Sequence, residues 1–144
     1  MRAKTLAILM GQVTGADVAL PFFISHISAG WPSPAEDYID QTINLTEILI
    51  HNPAATYLLR AAGDSMLGAG IHDGDILVVD RSLQVEPGKI VIAALDGELL
   101  VKRLVSKNTR LYLWPENRQY QPIDVTQSDS FLVWGVVRHV IHTF

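Results

Sequence analysis

The stretch IVIAALDGELLVKRL, residues 90–104, constrains the fold more than any other part of the sequence. Asp96-Gly97 separates two apolar, β-leaning runs, the pattern of a two-residue hairpin turn whose central residues both take positive φ. A turn that tight sets the register of the whole ladder, placing Lys102 opposite Val91 and Val101 opposite Ile92. Further strands are predicted at Thr56–Ala62, Ile76–Asp80, Leu111–Trp114 and Phe131–His142, with the hairpin arms at Ile90–Leu95 and Glu98–Leu104. Turn signals fall between them at Asp73-Gly74, Pro87-Gly88 and Asn117 with Pro122. Many short strands with little helix predict a mainly β domain, a compact sandwich or partial barrel.

Upstream of residue 54 the texture changes. Residues 1–30 mix small and apolar residues without a period. Residues 31–53 begin with Trp31-Pro32-Ser33-Pro34 and reach Asn44-Leu45-Thr46-Glu47-Ile48-Leu49-Ile50, which predicts one or two helical turns. Asn44 is the N-cap, Glu47 the acid three residues later, and His51-Asn52-Pro53 the stop. No repeat or low-complexity tract interrupts the chain.

The 144 residues suit one domain, and 49% apolar residues suffice for a packed core. A formal charge of −4 argues against phosphate-driven binding to nucleic acid. Arg103, Lys107, Arg110 and Arg118 are spread out rather than clustered, so no direct sequence-specific DNA binding is expected. A link to nucleic acid would run through a protein partner. With no cysteine, thiol catalysis, disulfides and thiolate metal sites are excluded, and the cytoplasm is a compatible location. The start MRAKTLAILM resembles a signal peptide, but its apolar run ends at Gly11-Gln12, short of the about 7–15 residues such signals use. No apolar run approaches the roughly 20 residues of a membrane span.

Lys102 interrupts an apolar strand. Alternation puts Leu100, Lys102 and Leu104 on one face. The lysine then either reaches water from the rim or lies in an apolar pocket. Burial would lower its pKa and make a neutral amine available to take a proton from a serine hydroxyl. Ser65, in the polar turn Gly63-Asp64-Ser65-Met66, lies 37 residues before it. Asp64 is expected to shape that turn through its side-chain oxygen, and Met66 to pack or shape a cleft.

GDSM, the following GIHDGDILVVD and Lys102 in ELLVKRL resemble the LexA/UmuD family of self-cleaving serine peptidases (peptidase S24), and the UmuD-type mutagenesis proteins in particular. From about Leu20 the likeness covers nearly the whole chain. It includes Gly30-Trp31-Pro32-Ser33-Pro34, Asn52-Pro53-Ala54-Ala55-Thr56-Tyr57, Asp73-Gly74-Asp75, Trp114-Pro115-Glu116-Asn117 and Trp134-Gly135-Val136-Val137. Each fragment is weak alone; their order makes the resemblance strong.

That resemblance implies a β-clip domain over 54–144, a linker with a short helix over 30–53, and an extended N-terminal arm, residues 1–29, removed by self-cleavage. It implies Ser65 as nucleophile, Lys102 as general base, and Ala29-Gly30 as the bond cut. It also implies a homodimer, stimulation by a recombinase filament on single-stranded DNA after damage, and a shortened product that joins a Y-family translesion DNA polymerase subunit in error-prone synthesis. No cofactor, metal or membrane is implied. LexA-type repressors carry a helix-turn-helix domain before the cleavage site, and only 29 residues precede Gly30 here, so a repressor is not expected.

Three other readings remain. The chain could be a non-catalytic interaction module for a polymerase or recombinase filament. A signal peptidase shares Ser–Lys chemistry but is membrane-anchored. Among five histidines, His72 with Asp73 or Asp75 could form a Ser-His-Asp set with Ser65, although a solvated turn histidine is the ordinary outcome. His26 and His51 lie in uninformative contexts. His139 and His142, three apart in a strand, point to opposite faces and make a poor metal pair.

Overall fold

The computed structural model describes residues 6–12, 19–23 and 39–144, with side-chain surroundings from Asn44 onward. Two compact units are present, Met1–Val13 with Asn52–Phe144, and Thr14–His51.

In the smaller unit, β2 (Ala19–Phe23) pairs antiparallel with β3 (Ile39–Asn44), and β3 runs into the single-turn helix α1 (Leu45–Leu49). Asn44 caps α1 by accepting from Thr46 N–H at 2.9 Å. The cap is the expected residue, although it reaches the second helical N–H instead of a box with Glu47.

The larger unit is one antiparallel sheet. β4 (Thr56–Ala62), β5 (Ile76–Asp80) and β6 (Ile90–Leu95) have the expected bounds. β7 (Glu98–Lys107) runs three residues longer than expected, and β8 (Arg110–Trp114) follows it. β9 (Ile123–Asp124) is a two-residue addition, and β10 (Phe131–Ile141) closes the set. The lengthening of β7 has a local cause. Asn108 and Thr109 both take positive φ and make a second tight hairpin, which extends the ladder to Lys107–Arg110.

β1 (Leu6–Gln12) was not legible in the sequence. It pairs with β4 from Leu6–Ala62 to Gln12–Tyr57, with an irregularity after Leu9, and Leu6 also pairs with Leu100 of β7. The order β1-β4-β5-β10-β6-β7 thereby returns to β1, a ring of six strands, with β8 and β9 continuing outward from β7. The mainly β partial barrel expected from the strand pattern is the observed architecture. Its closure depends on a segment without β periodicity, because pairing with an existing edge supplies what local propensity does not.

β7 has two buried faces. Val101 packs with Leu59, Ala61, Met66, Leu77, Val79 and Ile92, while Leu100 and Leu104 pack with Val91, Ala93, Leu113 and Val136. No helix among the described residues is long and apolar enough to cross a membrane.

Candidate active site

The hairpin positions Lys102. Asp96 and Gly97 have φ of 51° and 80°, and the register runs Val91–Lys102 and Ile92–Val101 as the two-residue turn requires. Lys102 shares its face with Leu100 and Leu104, faces Val91, and is 1% exposed. Of the two outcomes open to it, rim or pocket, burial is the one that occurs.

Ser65 comes from the turn after β4 and is also 1% exposed. Its Oγ lies 2.6 Å from Lys102 Nζ. Among the described residues no carboxylate forms an ion pair with Lys102. Burial therefore acts unopposed and lowers the lysine from 10.5 to about 8. Lys102 Nζ donates to Ser65 Oγ, and near pH 8 a large fraction of the amine is neutral and able to take the hydroxyl proton. The pair is the arrangement a Ser–Lys nucleophile needs.

The turn bearing Ser65 is held from both sides. Gly63 N–H donates to Asp73 Oδ1 at 2.8 Å. On the other side stands the loop Trp114–Pro122, which with Leu67 and Gly68 lines a cavity of about 760 Å³. Asn117 Nδ2 donates to the Asp64 carbonyl at 2.9 Å, and the Tyr120 hydroxyl donates to Asp64 Oδ1. Gly68 N–H donates to the Glu116 carbonyl at 2.7 Å. That approach needs glycine, because a Cβ at 68 would sit 2.7 Å from the same oxygen. Glu116 is itself gripped by Arg103, whose Nε donates to Oε1 at 2.5 Å. Arg103 directly follows Lys102 on β7, so the strand that carries the amine also braces the loop that holds the serine turn.

Asp64 therefore works differently from the expected local turn-former, since its side chain reaches Tyr120, 56 residues away. Met66 is fully buried in the core, as expected, and its Sδ accepts from Glu116 N–H at 3.4 Å. Glu116 and Asn117 were visible only as part of a resembling fragment, and Tyr120 carried no signal at all. Their roles arise from contacts between distant loops.

His72 does not join Ser65. Its ring lies 4.7 Å, centroid to centroid, from that of His142, and both approach Asp75. Burial alone would raise the Asp75 carboxyl. The His72 backbone N–H and the two imidazoles outweigh it and hold the group below its ordinary value. Ala29 and Gly30 lie outside the described residues.

A family model described as peptidase S24-like matches residues 21–138, a span that includes Ala29, Gly30, Ser65 and Lys102. Protein MucA of Salmonella typhimurium is 45% identical over 122 residues, covering 84% of this chain and 83% of its own. Protein SamA of the same species, strain LT2, is 43% identical over 122 residues, covering 85% of this chain and 84% of its own. The LexA repressor of Shewanella halifaxensis is 37% identical over 142 residues, covering 95% of this chain and 68% of its own. With these matches over most of its length, the chain belongs to the peptidase S24 family of self-cleaving serine peptidases, among its UmuD-like SOS mutagenesis members.

Proposed function

We propose that the chain cuts itself between Ala29 and Gly30, with Ser65 as nucleophile and Lys102 as general base. The observation that carries this reading is the buried contact of 2.6 Å between Lys102 Nζ and Ser65 Oγ. Ser65 Oγ attacks the Ala29 carbonyl carbon as its proton passes to neutral Lys102. Backbone N–H groups near the serine stabilise the oxyanion, each contributing about 3–4 kcal/mol where such donors have been removed. The C–N bond breaks as the Lys102 ammonium returns its proton to the Gly30 nitrogen. Water, deprotonated by the same amine, then hydrolyses the Ala29 ester on Ser65. Residues 1–29 and 30–144 are the products.

The small side chain of Ala29 and the absent one of Gly30 suit a substrate strand that must approach the nucleophile closely. By the family resemblance, a recombinase filament on single-stranded DNA stimulates the cut, the protein is a homodimer, and its 30–144 form joins a Y-family translesion polymerase subunit in the cytoplasm.

The test is incubation of purified protein at alkaline pH with the products weighed by mass spectrometry. Loss of residues 1–29, abolished by Ser65→Ala and by Lys102→Ala, is the expected result. Intact protein throughout, even with recombinase filaments added, overturns the reading in favour of a non-catalytic interaction module. Gly30→Leu is expected to block the cut without disturbing the fold, and unchanged cleavage in that variant means another bond is the target.

A further inference from the structure

The cluster of His72, Asp75 and His142 takes no part in the chemistry of Ser65. Its geometry is built by the backbone. β10 pairs with β5 through His139–Val78, Val140–Leu77 and Ile141–Ile76. One more step of that register brings His142 opposite Asp75, and its Nδ1 lies 2.5 Å from Asp75 Oδ1. His72 stands three residues before Asp75 in the preceding turn, with Nδ1 3.6 Å from Oδ2. The three side chains offer ligand atoms all within 4.8 Å of one another.

The carboxylate is already oriented for a ligand. Asp75 is 3% exposed, and its Oδ2 accepts the His72 backbone N–H at 2.8 Å. The imidazoles, in contrast, keep 51% and 37% of their side-chain surface open to solvent. A buried, tethered carboxylate beneath two accessible imidazoles admits an ion from the surface.

We infer that His72, Asp75 and His142 form a binding site for a borderline divalent transition-metal cation such as Zn²⁺. Two imidazole nitrogens and one carboxylate oxygen suit Zn²⁺, Co²⁺ or Ni²⁺, whereas Mg²⁺ and Ca²⁺ want more oxygen donors. Ligands bonded to Zn²⁺ at 2.0–2.1 Å in tetrahedral geometry stand about 3.3 Å apart. The cluster reaches that spacing by small side-chain rotations, with the ion displacing the hydrogen bond between His142 and Asp75. Three protein ligands leave a coordination position for water. The bound ion would tie the end of the chain to the 72–75 turn. Asp73 in that turn bonds Gly63 N–H, two residues from Ser65, yet the site stands whether or not Ser65 is catalytic.

Calorimetric titration of the full chain with Zn²⁺, beside thermal melts with and without the ion, tests the site. One Zn²⁺ per chain is expected to bind saturably and to raise the Tm. His72→Asn and His142→Asn each remove a ligand and are expected to weaken binding at least about 10-fold, since even outer-shell losses cost that much. Both positions are on the surface, so the variants leave the core intact. His51→Asn is expected to bind as the parent does. Absence of saturable binding, or parental affinity in either the His72 or the His142 variant, overturns the inference.

Discussion

Lys102 Nζ and Ser65 Oγ lie 2.6 Å apart and are both buried, one on an interior strand and the other on a turn 37 residues earlier. Burial keeps the lysine near 8, which couples reactivity to pH. Below that value the neutral fraction falls tenfold per pH unit. The self-cleavage rate is therefore expected to rise about tenfold per unit up to roughly pH 8 and to level off by about pH 9. Timed sampling between pH 6 and 10 measures the profile, and a flat or falling one is incompatible with Lys102 as the base.

The same burial has a cost in stability. A lysine with a folded-state value near 8 and an ordinary value of 10.5 carries its charge in the interior at the expense of folding. The cost is full below pH 8 and vanishes as pH rises through 10.5. Lys102→Met, which fills similar space without a charge, is expected to stabilise the protein by up to about 3 kcal/mol at neutral pH while abolishing cleavage. Urea unfolding at pH 7 and pH 10 checks this, with the advantage expected to shrink at the higher pH.

The brace formed by Arg103, Glu116 and Gly68 predicts that changes outside the Ser–Lys pair slow cleavage. Gly68→Ala drives a Cβ to 2.7 Å from the Glu116 carbonyl, displacing the serine turn or the loop. It is expected to cost about 1–3 kcal/mol of stability by overpacking. An ångström of misplacement is worth up to about 100-fold in rate. Tyr120→Phe removes only the bond to Asp64 and is expected to slow cleavage less than Gly68→Ala. Comparing single-turnover rates with melting temperatures separates loss of position from loss of fold.

β1 closes the ring by covering one edge of β4. A chain made directly as residues 30–144 lacks that strand. The β4 amides that point toward β1 are then expected to exchange hydrogen faster than in full-length Ser65→Ala, while the β5-facing amides stay protected. Hydrogen exchange read by mass spectrometry over 56–62 measures it. Equal protection in the two chains means β1 contributes nothing to closure.

What could be read in the sequence is what local chemistry dictates. Asp96-Gly97 determined a turn type, the turn determined a register, and the register determined that Lys102 faces Val91. Alternation along β7 put the lysine on the face of Leu100 and Leu104. Ordered fragments around Ser65 pointed to the family. Tertiary structure decided the rest, because it concerns surfaces that meet only after folding. Alternation cannot tell a rim from a pocket, and it was tertiary packing on both faces of β7 that buried Lys102 and so lowered its pKa. Likewise Tyr120 reaches Asp64 across two loops distant in sequence, and His142 reaches Asp75 because β10 runs beside β5. Spacing along the chain carries no trace of such contacts until the sheet brings them within hydrogen-bond range.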